Sequence, residues 1–277
     1  MAPLQPSFAT PPPHTESCLI SFPSPGILLV LINRPQKSNS LTIKANHELD
    51  SVFTWFDQEP TCHVAIISGV GKVFCAGADL KEWMGFQRSG TRLNLPASGF
   101  GGLSLRNGKK PVIAAVNGPA HGGGCEMAVN CDMVIASSMA TFCLPEVKRG
   151  VTAFAGALPR IVKTAGRQRS AELALTGRAV TAHEFMQWGL CNFVVDSSQN
   201  VVDKALEYAK MISDGSPDAV IVTREGLKLG WEALGVTDAS RIFREGWGSR
   251  IYEGANMQEG LDAYTEKREP RWKRSKL

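Results

Sequence analysis

The chain has 277 residues, 43% of them hydrophobic and 20% charged, with a formal net charge of +4. That length is enough to bury a substantial core, and the composition is that of an ordinary globular protein. The mild, dispersed positive charge builds no nucleic-acid-binding face, so no nucleic acid is expected. No apolar run of about eighteen residues is present to cross a membrane as a helix.

Seven cysteines occur, an odd number without a Cys-x-x-Cys pair, which argues against a disulfide framework. The five histidines are scattered, so no metal site is expected. A reducing compartment suits such thiols. Residues 1–16 are proline-rich, carry no secretory signal and read as a disordered lead-in.

Cys18 to Phe22 and Ile27 to Ile32 are apolar strings broken by Pro23, Pro25 and Gly26, the pattern of a hairpin. Thr42 offers a cap for a helix over 43–58. Val64 to Ser68 reads as a buried strand, and 83–107 as a mobile lid over a pocket, since its periodicity is poor. Val112 to Val116 is a second buried strand, followed by a helix from about Gly123 to Cys131. Met133 to Ala136 and Thr141-Phe142 are short extended pieces. From Ser170 onward the pattern is helical, over 170–176, 181–188, 201–214, 219–234 and 238–252, with Phe193 to Val195 a last strand. The fold class is α/β with parallel pairing. The expected division is a lead-in over 1–16, a core over 17–200, a helical region over 201–270 and a basic tail over 271–277.

The chemistry concentrates in three places. Gly122-Gly123-Gly124 runs into Cys125-Glu126, and a second glutamate, Glu146, follows in Leu144-Pro145-Glu146-Val147. Phe74-Cys75-Ala76-Gly77-Ala78-Asp79 lies upstream. A glycine between strand and helix lets the backbone approach a ligand, and the first amides of a helix have no internal acceptor. Gly123 and Ala78 are therefore two amides suited to a negatively charged oxygen. The triplet lacks the Lys-Ser/Thr ending of a nucleotide loop. Asp79 reads as a helix N-cap. Glu126 and Glu146 sit among apolar neighbours, where a carboxyl is costly unless paired or functional. His121, Cys75 and Cys125 read as packing residues, since no Cys-His-Asn/Asp constellation is visible.

The order Asn33-Arg34-Pro35, Asn39-Ser40-Leu41, Cys75-Ala76-Gly77-Ala78-Asp79-Leu80, Ala115-Val116-Asn117-Gly118, Gly122 to Glu126 and Pro145-Glu146-Val147 resembles the crotonase superfamily, the enoyl-CoA hydratase/isomerase family. The resemblance spans about residues 18–270. It implies a spiral ββα core with a C-terminal helical trimerisation region, and homotrimers or homohexamers. It implies an acyl-CoA thioester as substrate, with coenzyme A as part of the substrate and no separate cofactor. The thioester oxygen would lie between Ala78 and Gly123, with Glu126 and Glu146 as acid and base for adding water to a 2-enoyl-CoA. Ala76, Asp79, Leu80, Lys81, Gly122, Phe154 and Lys267 match ligand-contacting positions. Phe154 departs from the hydratase pattern, which has glycine there, and a ring at that point is expected to narrow or redirect the acyl pocket.

Two other readings stand beside the lyase. An enoyl-CoA isomerase would move a double bond without taking up water. A non-catalytic, RNA-binding member of the fold would need a basic face. The chain ends Ser275-Lys276-Leu277, a peroxisomal address, which predicts peroxisomal localisation through the import receptor.

Overall fold

A computed structural model describes residues 8–90, 94–196, 199–231 and 235–277. The chain opens with β1 (Cys18–Ser24) and β2 (Gly26–Ile32), an antiparallel hairpin turned at Pro25 and Gly26. Helix α1 (Ile43–Gln58) follows, capped by Thr42, whose Oγ1 accepts from the Ala45 amide. It turns Leu49, Val52, Phe53 and Phe56 into the core. Next come β3 (Cys62–Gly69), α2 (Leu80–Ser89), β4 (Val112–Val116) and β5 (Ala120–His121). Helix α3 (Gly123–Asn130), β6 (Met133–Ser137), β7 (Thr141–Cys143) and a 3-10 turn at Pro145–Arg149 lead into α4 (Ala157–Ala165). Helix α5 (Arg167–Thr176), β8 (Val180–Thr181), α6 (Ala182–Gln187) and β9 (Phe193–Val195) complete the alternating part. The last helices are α7 (Val201–Ser213), α8 (Pro217–Trp231), α9 (Val236–Tyr252) and α10 (Ala255–Glu266).

The main sheet runs β1-β2-β3-β4-β6-β9, parallel from β2 onward. A second sheet, β5-β7-β8, stands apart from it. Strands β3 and β4 are nearly continuous apolar runs because both faces are covered. One face meets α1, α3 and α4. The other meets α7, through Val201, Ala205 and Ala209 packed on Ile27, Val64, Ile66 and Ile113. Helix α7 is therefore part of the core packing, and the region that stands off the sheet begins at α8. There Arg224, buried, pairs with Asp132 at 2.7 Å, while Asp132 Oδ2 accepts from the Val112 amide.

Besides this shift of the expected boundary at 200/201 to the start of α8, three further expectations change. The lead-in is packed from Phe8 onward. The Phe8 ring lies 4.6 Å from Phe22 and 5.4 Å from Trp55, and the Trp55 indole donates to Thr10 O. An aromatic anchor on a proline-stiffened chain outweighs its polar composition. The 83–107 stretch is not a lid over its length. It contains most of α2, and its far end is pinned: Asn46 Oδ1 accepts from the Gly101 amide at 2.6 Å, and Arg106 pairs with Asp57. Helix α8 starts at Pro217 and α9 at Val236, each two residues earlier than expected, and the expected end at Leu234 lies outside the described residues.

Candidate active site

Two short parallel bridges set the site. Leu41 pairs with Ala78, and Cys75 with Ala120. The Leu41 amide donates to Gly77 O and the Asp79 amide to Leu41 O, each at 2.9 Å. Alternation along an extended chain then turns Ala78's own N–H away from Leu41. It turns toward the start of α3: a Cβ on Gly77 would lie 3.5 Å from the Gly123 nitrogen and 3.0 Å from His121 O. Gly77 takes φ +95 and Gly122 φ +55, conformations that disfavour any side chain. Gly123 opens α3, so its amide has no acceptor within the helix. Phe100 lies against it, where a Cβ would come within 2.6 Å of the ring.

The two carboxyls face the same space. Glu126, in the first turn of α3, is 4% exposed. Its Oε1 accepts from the Ala157 amide at 3.4 Å, at the start of α4. Glu146 is carried by the 3-10 turn, and its Oε1 lies 3.0 Å from where a Gly122 Cβ would stand. Its Oε2 is buried with no hydrogen-bond partner among the described residues. An unsatisfied buried carboxyl oxygen is expensive, and here it belongs to a residue that lines a cavity.

Burial pushes the Glu126 carboxyl up to about 7, with Glu146 adding to the rise and the amides of residues 155 and 157 and Arg160 opposing it. Burial also raises Glu146, opposed by hydrogen bonding and Arg149. Both carboxyls are thus biased toward their protonated forms, Glu126 the more clearly.

All the sequence-predicted residues except Lys267 line one cavity of about 770 Å³: Ala76, Ala78, Asp79, Leu80, Lys81, Gly122, Gly123, Glu126, Glu146 and Phe154. Asp79 caps α2, accepting from the Lys81 amide at 3.2 Å, and pairs with Arg34 at 3.2 Å. Phe154 is 87% exposed, so its ring stands at the rim and does not fill the interior. Lys267 ends α10 in a left-handed conformation, away from this cavity. Helix α10 is tied instead to Asp218 of α8 and to the tail, through Asn256.

Sequence reading missed Trp83, Phe100 and Leu105 as walls and Lys37 at the rim. The signal for Phe100 was its setting in Gly99-Phe100-Gly101-Gly102, where small neighbours admit close packing. The thiols are excluded as nucleophiles. Burial pushes Cys75 to about 12 and Cys125 well above its ordinary value. His121 Nε2 lies 3.0 Å from Thr141 Oγ1, and burial favours its neutral form. No group of three potential metal ligands exists among the described residues.

The raised Glu126 carboxyl has a consequence for stability. A group whose folded-state value lies above its unfolded value stabilises the fold while protonated, and this is lost as pH rises through the folded value. For Glu126 the loss runs from about 4.5 to about 7. Glu126→Gln removes the charge, so thermal melts should show the variant gaining on the parent as pH rises from 5 to 8, by on the order of 2–4 kcal/mol. A difference that stays constant with pH would contradict the assigned burial.

The family model for enoyl-CoA hydratase/isomerase matches residues 23–275. The mevalonyl-coenzyme A hydratase of Aspergillus fumigatus is 49% identical over 96% of this chain and 98% of its own length. That of Beauveria bassiana is 45% identical over 98% of this chain and 100% of its own. The crystal structure of an enoyl-CoA hydratase from Mycobacterium tuberculosis superposes with a TM-score of 0.85, at 29% identity, over 93% of this chain and 98% of that one. With a family match over nearly its whole length and paired amides and carboxyls around one cavity, this chain belongs to the enoyl-CoA hydratase/isomerase family.

Proposed function

We propose that this protein is a hydratase-like lyase, adding water across the double bond of a 2-enoyl-CoA thioester and removing it in reverse. One observation carries the reading: the carboxyls of Glu126, buried, and Glu146, half-buried, line the same cavity as the backbone amides of Ala78 and Gly123. Hydration needs both parts. Polarising the thioester carbonyl makes C3 electrophilic, and negative charge then builds on the carbonyl oxygen. The amides of Ala78 and Gly123 meet that charge, each such donor lowering the barrier by ~2.7–4 kcal/mol. Water held between the carboxyls bonds through oxygen to C3. One carboxylate takes the water's second proton while the other carboxyl gives its proton to C2. The pair ends with one proton, as it began. The scheme asks for no metal or redox cofactor.

The substrate class follows the two fungal relatives, which are named for mevalonyl-coenzyme A. The hydrated substrate would then be a thioester with a methyl and a tertiary hydroxyl at C3 and a second hydroxyl at C5. Its dehydration places the departing hydroxyl between the same two carboxyls. The apolar walls Trp83, Phe100 and Leu105, and a Phe154 ring held at the rim, leave interior room for a branch at C3. Lys37 and Lys81 place positive charge at the mouth, suited to the phosphates of coenzyme A.

The assembly proposed is a homotrimer, or a hexamer of two trimers. Helix α9 has no buried residue among its described side chains, although a helix of this length normally owes its stability to a packed apolar face. Leu227, Leu261 and Tyr264 also stand exposed on the neighbouring helices. Ser275-Lys276-Leu277 supports a peroxisomal location.

Loss of conjugated-thioester absorbance measures the reaction. Glu126→Gln and Glu146→Gln should each lower kcat at least ~100-fold while the acyl-CoA ester still binds. Near-parental turnover in both would sink the two-carboxylate scheme. The 3-methyl-5-hydroxy-2-pentenoyl thioester should be hydrated with a higher kcat/KM than the crotonyl thioester, and the reverse order would contradict the branched substrate. Sedimentation should give three or six chains per particle, a monomer refuting the assembly. A fluorescent fusion ending in Ser275-Lys276-Leu277 should form peroxisomal puncta that vanish when the tripeptide is deleted. Puncta that persist, in cells lacking the intact subunit, would refute the address.

A further inference from the structure

Arg160 lies on α4, one turn beyond the amide that holds Glu126. Its Nη1 donates to Ser104 O at 2.7 Å and to Gly156 O at 3.0 Å. These carbonyls belong to two segments that meet beside the cavity, each adjoining a residue that lines it, Leu105 and Ala155. Gly156 immediately precedes Ala157, whose amide reaches Glu126 Oε1. Ser104 closes the segment that carries Phe100, and its Oγ accepts from the Phe100 amide at 2.7 Å. Phe100 in turn abuts Gly123. One planar guanidinium thus links the turn that holds a carboxyl to the segment that packs beside an amide of the proposed oxyanion site. The bracket is tight: a Cβ on Gly156 would meet Arg160 Nη1 at 2.3 Å and Leu105 at 2.8 Å.

We propose that Arg160 is a positioning residue for Glu126: its guanidinium clamps the 155–157 turn against the 100–105 wall and so fixes the seat of that carboxyl. The surroundings of Glu126 are otherwise unkind to a carboxylate. Glu146 faces it from the 3-10 turn, Cys125 adjoins it on α3, and β5 contributes a His121 that burial keeps neutral. Arg149 acts on Glu146. Arg160 and the amides of residues 155 and 157 work in the opposite direction, toward the charged form of Glu126. Geometry and charge thus act together through the same side chain, and lysine keeps the charge without reproducing the reach, because its ammonium ends one bond short of the position Nη1 occupies.

The inference rests on the hydratase reading only for its kinetic readout, so the test has two arms. The first follows the Glu126 carboxyl directly, by infrared difference spectra between each protein and its Glu126→Gln counterpart as pH is varied. Arg160→Gln should move this titration upward by about half to one pH unit. Arg160→Lys should hold it within about 0.3 units, since the charge is kept. The second arm is the pH profile of kcat/KM, whose acid limb should move with the titration in Arg160→Gln and stay in place in Arg160→Lys. Loss of the two Nη1 hydrogen bonds should lower kcat several-fold in both variants. An unmoved titration in Arg160→Gln overturns the inference, even if activity or melting temperature falls. Should Arg160→Gln not fold, Arg160→Met takes its place: an upward shift supports the inference and an unmoved titration overturns it. A shifted titration in a protein without hydration activity would defeat the hydratase reading and leave this one standing.

Discussion

The site depends on the close approach of two backbone turns, Cys75–Asp79 and Gly122–Gly123. Neither turn is long enough to hold itself in place. The first is stitched between Leu41 and Ala120 by strand-like hydrogen bonds, which use alternate amides and leave that of Ala78 turned the other way. The second is fixed by the start of α3 on one side and by the Gly122 amide donating to Cys143 O at 2.8 Å on the other. Glycine at 77 and 122 is a steric requirement of that approach. The main sheet supplies the rigidity, because β3 and β4 are buried on both faces and deliver both turns from their carboxyl ends.

Around this backbone pair the protein accepts a local loss of stability. Two carboxyls are withdrawn from water within one cavity, and each is destabilised as an anion mainly by burial. A purely structural site would neutralise them with a close cation or fill their hydrogen-bonding capacity. Here Glu146 keeps an oxygen unsatisfied. The same features make the pair chemically useful near neutral pH, where a retained proton lets one carboxyl give while the other takes.

Much of this was legible in the sequence, and the parts that were not share a cause. The strand at 112–116, the helix at 43–58 and the strand at 193–195 follow from local apolar patterns, a threonine cap and flanking turn residues. Gly122 to Glu126 and Glu146 were legible because charge and glycine in apolar surroundings are locally conspicuous. Phe8, Phe100 and Arg160 were not, because their roles exist only through contacts far along the chain: Phe8 with Trp55, Phe100 with Gly123, Arg160 with Ser104. The start of helix α2 was legible in Asp79, read as its cap, whereas its continuation through 83–89 was not, because Gly85 and the mixed polarity there blur the helical period. The position of Phe154 at the rim also needed the fold, because a pattern of missing glycines cannot say which way a ring points.

The most direct test of the central claim is a crystal structure with a non-reacting acyl-CoA thioester bound. The account predicts the thioester oxygen within hydrogen-bonding distance of both the Ala78 and Gly123 amides, with an ordered water between the Glu126 and Glu146 carboxyls facing C3. A thioester oxygen bound elsewhere in the cavity, or the two carboxyls on opposite sides with no shared water, would contradict it.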